Sequence, residues 1–116
     1  MSISILLVDD SDVNLKVASL MLKKIGHQAD IATNGIEAIE ALENHSYDIV
    51  LMDIQMPEMD GLEATKIIRQ RWHQDPRIIV VTSLDNYQET CLAAGADDFL
   101  TKPLGIETLR ETLKCR

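Results

Sequence analysis

"ISILLVDDSDVNLKV", residues 3–17, passes from an apolar run into two adjacent aspartates and then into a segment of helical period. Ile5, Leu6, Leu7 and Val8 are apolar without alternation, which suits a strand covered on both faces, as in parallel sheets. Asp9 and Asp10 follow at its end. Carboxylates packed that closely repel each other, so their pairing calls for a cation or a chemistry that uses both.

Outward from this stretch the same alternation returns four times. After "ISILLV" (3–8), the runs "QADIA" (28–32), "YDIVLM" (47–52), "RIIVV" (77–81) and "DDFL" (97–100) read as strands. Helices are expected near residues 12–25, 35–44, 61–72, 85–94 and 105–115. Tyr87, Cys91 and Ala94 form one apolar stripe at helical spacing, and Ile106, Leu109 and Leu113 another. Ser11 or Asp12 can cap the first helix and Asp60 the third, while Gly26 and Gly95 stand where helix C-termini take a left-handed residue. Five repeats of strand then helix imply an α/β fold, an open, doubly wound parallel sheet with helices on both faces. Ligands of such sheets bind beyond the carboxyl ends of the strands. That edge carries Asp9, Asp10, Thr33, Asp53, Thr82, Ser83, Thr101 and Lys102.

The bulk numbers narrow the classes. At 116 residues and 46% apolar content the chain is read as a single domain, residues 1–116, with a core of ordinary proportions. A net charge of -8 repels phosphate backbones and anionic head groups, so no direct nucleic-acid or membrane partner is expected. No apolar run approaches the roughly 20 residues of a membrane span, and Met1 to Ile5 lacks the basic start of a signal peptide; the chain is read as cytoplasmic. Cys91 and Cys115 form no CxxC pair, and Cys91 reads as a buried small hydrophobe. His27, His45 and His73 show no ligand spacing and are expected to be solvated.

If strands one and three are neighbours, about 4.8 Å apart, Asp9, Asp10 and Asp53 converge on one pocket. Hard oxygen ligands without imidazole or thiolate suit Mg²⁺, with Mn²⁺ as its substitute, and Mg²⁺ favours a phosphate oxygen as a further ligand. Lys102 would bring a positive charge to the same rim and Thr82 a hydroxyl donor. One carboxylate can then attack phosphorus in line, and Asp53 is the candidate acceptor.

The "VDD" of 8–10, "LMDIQMPEMDG" of 51–61, "VTS" of 81–83 and "TKP" of 101–103 together resemble the receiver domain of two-component response regulators, over essentially the whole chain and in the family's order. The resemblance implies a flavodoxin-like (βα)5 receiver fold with strand order 2-1-3-4-5. It implies that Asp53 is the phosphoacceptor, Asp10 a direct Mg²⁺ ligand, Asp9 a ligand through water and Gln55 a ligand through its backbone carbonyl. Lys102 would pair with the phosphoryl group, its bond to Pro103 being cis. Thr82 and Phe99 would form the switch that alters the surface of helix four, strand five and helix five. Gln55 and Leu84 would tune phosphoryl lifetime. Phe99 lacks the hydroxyl of the tyrosine often found there, and Gly105 opens the last helix where a stronger cap is usual. The implied donor is a histidine kinase or histidine phosphotransfer protein, and the implied state a monomer or weak dimer.

"DVNLKV", residues 12–17, is also similar to receivers attached to hybrid sensor kinases. The first helix carries two apolar tracks, Val13, Val17 and Met21 beside Leu15, Leu22 and Ile25, wider than one core stripe requires. An exposed track there would suit docking of a phosphohistidine donor, and a broadly buried helix is the other reading. Three functions are set against one another: a signalling phosphoacceptor, which is not an enzyme with a separate substrate; a Mg²⁺-dependent phosphatase with an aspartyl nucleophile; and a scaffold that is never phosphorylated. The haloacid dehalogenase pattern would want a carboxylate two residues after the nucleophile, where Gln55 stands, and the retained Asp10, Asp53, Thr82 and Lys102 weigh against the scaffold.

Overall fold

The chain alternates strand and helix five times: β1 (Ser4–Val8), α1 (Asp12–Ile25), β2 (Gln28–Ala32), α2 (Gly35–Asn44), β3 (Ile49–Asp53), α3 (Gly61–Arg71), β4 (Arg77–Thr82), α4 (Gln88–Ala93), β5 (Asp98–Thr101) and α5 (Ile106–Lys114). The computed structural model describes residues 3–54, 61–72, 76–82, 88–101 and 105–114. All strands are parallel, in the order β2-β1-β3-β4-β5. β1 and β3 are neighbours, with Val8 opposite Met52. The expected strand order and the juxtaposition of the two acidic strand ends are therefore both present.

Successive side chains of a strand point to opposite faces, so the unbroken apolar strands feed two cores at once. Leu6, Val8, Val50, Met52, Ile78 and Val80 pack with α2, α3 and α4. Ile5, Leu7, Leu51, Ile79 and Val81 pack with Leu15, Ala18 and Leu22 of α1 and Leu109 and Leu113 of α5. Burying each large side chain of this kind contributes roughly 1.5–3 kcal/mol, so the central strands carry much of the stabilisation. Cys91 is fully buried, as its stripe requires, while Tyr87 lies outside the described residues.

The helix ends follow their caps. Ser11 accepts the N–H of Asn14 with its side chain, 3.3 Å away, and α1 starts there. Asn34 accepts the N–H of Glu37 at 2.8 Å, and Glu37 reaches back to the N–H and hydroxyl of Thr33. Those two hydrogen bonds hold the Glu37 carboxyl below its usual range. The expected cap of α3, Asp60, lies outside the described residues.

Three expectations are corrected. The third strand begins at Ile49 instead of Tyr47, because Tyr47 and Asp48 serve as connectors. The Tyr47 hydroxyl donates to Asp30 at 2.6 Å, and the Asp48 carboxylate accepts the N–H of Ser4 at 2.8 Å. The fifth strand begins at Asp98, since the Asp97 carboxylate is taken by the N–H of Ile78 and by Arg69. His27 is half-buried instead of solvated, with an Nδ1 that is enclosed and has no hydrogen-bond partner among the described residues. Gly26, at φ 104°, closes α1, and the His27 N–H bonds back to the Leu22 carbonyl at 2.9 Å, which folds the imidazole under the helix end.

Tyr47 also yields a pH prediction. Burial first, then the Asp30 carboxylate beside it, push its hydroxyl up to about 12. A folded-state value above the unfolded one stabilises the protonated protein, so this contribution is complete below pH ~10 and lost as pH rises from there through about 12. Urea unfolding across that window is expected to show stability falling in the wild type and falling less in Tyr47→Phe.

Candidate functional site

The carboxyl edge of the sheet collects the acidic residues. Asp9 follows β1 directly, its N–H donating to the Ala32 carbonyl of β2 at 3.1 Å and its carboxylate accepting the N–H of Ser11 at 3.0 Å. That turn carries the chain into α1 and leaves Asp10 exposed at the rim. Asp53 ends β3, the middle strand of the five, and is only 6% exposed. One oxygen from each of Asp9, Asp10 and Asp53 lies within 4.8 Å of the others.

Three carboxylates that close are a poor arrangement for anions alone and a good one for a hard divalent cation. The donor set contains no imidazole or thiolate, which favours Mg²⁺ or Mn²⁺ over Zn²⁺. The burial gradient sorts the three. Asp10 faces solvent and Asp9 is half-buried, while Asp53 sits deepest, where a reacting group is shielded from bulk water.

Thr82 ends β4, the strand beside β3, one residue past the Val81 that is opposite Asp53. It is 2% exposed, a buried residue at the end of the strand neighbouring the acceptor candidate. Phe99 lies on β5 opposite Val80, half-buried and leaning on the core cluster that contains Cys91. Of the residues singled out in the sequence, Asp9, Asp10, Asp53 and Thr82 are thus brought to one edge. Gln55, Leu84, Lys102 and Pro103 lie outside the described residues.

The first helix divides its two tracks differently from the expectation. Leu15 and Leu22 are buried with Ala18, and both Ile25 and Met21 pack half-buried against that core, so of the other track only Val13 and Val17, 70% and 47% exposed, face out; Leu20, 56% exposed, joins them. Val13, Val17 and Leu20 are spaced 4 and then 3 apart, the stepping of a coiled-coil seam, and this seam starts beside Asp10. Exposed Lys16, Lys23 and Lys24 accompany it, a local basic strip on an acidic protein.

Two features escaped the sequence reading. One is the Tyr47–Asp30 bond, which joins positions too far apart for spacing to reveal. The other is Gly61, the first residue of α3: its N–H donates to the Ile54 carbonyl at 2.8 Å, immediately behind Asp53. The available signal was a glycine where a helix former would be expected.

Comparison with known proteins agrees with this geometry. The family described as "Response regulator receiver domain" matches residues 5–114. Histidine kinase 5 of Arabidopsis thaliana is 39% identical over 139 residues, covering 95% of this chain and 15% of that protein. Hybrid signal transduction histidine kinase B of Dictyostelium discoideum is 42% identical over 114 residues, covering 86% of this chain and 6% of that protein. The chain therefore spans only a small part of the curated relatives it matches. Among solved structures, the receiver domain of a sensor histidine kinase from Pseudomonas aeruginosa PAO1, with a magnesium ion coordinated in its active site cleft, has a TM-score of 0.89 at 36% identity. That likeness covers 98% of this chain and 96% of the other.

Proposed function

This chain belongs to the response regulator receiver domain family, and from that premise we propose that residues 1–116 act as one phosphoacceptor unit in which Asp53 takes a phosphoryl group from phosphohistidine. The observation that carries the reading is the convergence of Asp9, Asp10 and Asp53, with oxygens within 4.8 Å, at the carboxyl edge of the sheet. Receiver domains are signalling phosphoacceptors; we read this one as turning over no separate substrate.

Asp10 and Asp53 would hold Mg²⁺ directly, Asp9 through water and Gln55 through its carbonyl. The bound ion supplies neutralisation of charge on the phosphoryl oxygens. Asp53 contributes the nucleophile: one carboxylate oxygen forms the bond to phosphorus as the bond from phosphorus to the donor nitrogen breaks, and the donor imidazole leaves with that electron pair. Thr82, at the end of the adjacent strand, would donate its hydroxyl to a phosphoryl oxygen, and Lys102 would add an ammonium. The new group brings about -1.5 to -2 charges, and it can shift the pair Thr82 and Phe99 only by contacting two arrangements differently. The surface of α4, β5 and α5 is the proposed output, read by a partner protein.

The donor is proposed to be a histidine kinase or histidine phosphotransfer protein presenting a helix to the α1 seam, with acidic groups opposite Lys16, Lys23 and Lys24. A cytoplasmic setting fits this chemistry, and no helix among the described residues is long and apolar enough to cross a membrane. We take the acting form as a monomer or weak dimer, without direct contact to nucleic acid.

Intact mass after incubation with acetyl phosphate tests the reading. One added phosphoryl group that requires Mg²⁺ is expected; no adduct at early times, even with a phosphohistidine donor present, would favour the scaffold. Leu84 offers no polar group to orient an attacking water, so Leu84→Glu is expected to shorten the lifetime of the adduct. An unchanged hydrolysis rate in that variant would remove Leu84 from the lifetime-tuning role.

A further inference from the structure

We propose that Gly61 is a positioning residue for the acceptor, a bare surface on which the end of β3 rests so that the Asp53 carboxylate is delivered at the right depth. This deepens the phosphoacceptor reading and rests on it. A Cβ placed on Gly61 would lie 2.8 Å from the Asp53 carbonyl carbon and 2.9 Å from the Ile54 Cα, and closer still to the Asp53 carbonyl oxygen. These are main-chain atoms, which cannot swing aside as a side-chain tip can.

The need is steric and not conformational. Among the described glycines, positive φ occurs at Gly26 and Gly95, not at Gly61. Gly105, also at a helix start, would have its nearest neighbour at an ordinary 3.8 Å. Nothing in the backbone conformation at Gly61 asks for glycine, so the close approach of the β3 main chain is what keeps the position bare.

The contact is fixed from both sides. On the helix side, the Thr65 hydroxyl donates to the Gly61 carbonyl at 2.7 Å, and Ala64, Thr65 and Ile68 are fully buried. On the strand side, the Gly61 N–H holds the Ile54 carbonyl at 2.8 Å. A side chain inserted between them would have to move one or the other. Both are packed into the core, so the added side chain must shift the strand end, the helix start or both, and either displacement changes how Asp53 stands relative to Asp9 and Asp10. A misplacement of ~1 Å at a reacting group costs about 10²-fold in rate.

The test compares wild type, Gly61→Ala and Gly95→Ala in saturating Mg²⁺, following phosphorylation by acetyl phosphate: the bond from phosphorus to the acetyl oxygen breaks, acetate leaves, and the bond to Asp53 forms. Gly95→Ala is the matched structural lesion, since its φ of 113° and an Arg69 Cγ at 2.5 Å from the added Cβ make it strained, on another turn of the fold. Gly61→Ala is expected to lose about 10²-fold in the rate at saturating acetyl phosphate, per folded molecule, while Gly95→Ala loses thermal stability but keeps its rate. A Gly61→Ala rate equal to wild type, or an equal slowing in Gly95→Ala, overturns the proposal. If Gly61→Ala does not fold, Thr65→Val loosens the same first turn without a clash; a severalfold slower rate is expected, and an unchanged one overturns the assignment. A wild type that gains no phosphoryl group at all would refute the acceptor reading itself, a result distinct from any of these.

Discussion

Asp53→Asn is expected to gain no phosphoryl group from acetyl phosphate under conditions in which the wild type gains one. The amide is nearly isosteric with the carboxylate, so the strand and the core beneath it should persist, but its oxygen is a weak nucleophile and its charge is gone. The loss should be complete and not partial, because the other two carboxylates are differently placed. Asp10 is exposed and Asp9 is half-buried and already accepts the Ser11 N–H, whereas Asp53 alone lies buried at the end of the central strand. Intact mass with and without Mg²⁺ reads the result. Residual adduct in Asp53→Asn would mean that Asp9 or Asp10 can accept.

Replacing Val17 and Leu20 together by glutamate is expected to slow phosphoryl transfer from a phosphohistidine protein by about 30-fold or more, the ~2 kcal/mol scale of an interface hot spot. Phosphorylation by acetyl phosphate should stay at the wild-type rate, because both side chains are exposed to solvent and neither is one of the three clustered carboxylates. Both residues are exposed on the outer face of α1, away from Leu15, Ala18 and Leu22, so the substitutions should not disturb the core. Two new anions on a seam accompanied by Lys16, Lys23 and Lys24 would also repel an acidic partner. Parallel time courses with the two donors separate docking from chemistry: slowing with both would show damage to the site, and slowing with neither would place the docking surface elsewhere.

Most of the architecture was legible because the signals were of the kind that spacing preserves. Ile5 to Val8, Ile49 to Met52 and Ile78 to Val81 are apolar without alternation and are buried on both faces, so sequence and environment agree residue by residue. The acidic edge was legible too, since Asp9, Asp10, Asp53 and Thr82 each stand at a strand terminus and parallel strands bring such termini together. What stayed hidden depended on contacts between distant positions. The start of β3 was misjudged because Tyr47 looks like a strand residue, yet its hydroxyl is committed to Asp30 and its ring to the core. His27 was misjudged because polar neighbours suggest exposure, while the helix-closing turn at Gly26 folds it inward.

The double track of α1 shows the same limit. Periodicity alone allowed either a broadly buried helix or one with an exposed seam, and the packed structure shows which side chains the sheet face covers and which it leaves out. Gly61 is the extreme case, because the glycine itself is visible in the sequence but the main chain it lets approach is not.

Reductive trapping tests the central claim most directly. An aspartyl phosphate reduced with borohydride becomes homoserine at the residue that carried it, so peptide mass mapping after acetyl phosphate, Mg²⁺ and borohydride locates the acceptor without relying on a substitution. Homoserine at position 53, absent when Mg²⁺ is withheld, is the expected result. Homoserine at position 9 or 10, or at no position while intact mass still shows a phosphoryl adduct, would contradict the assignment of Asp53.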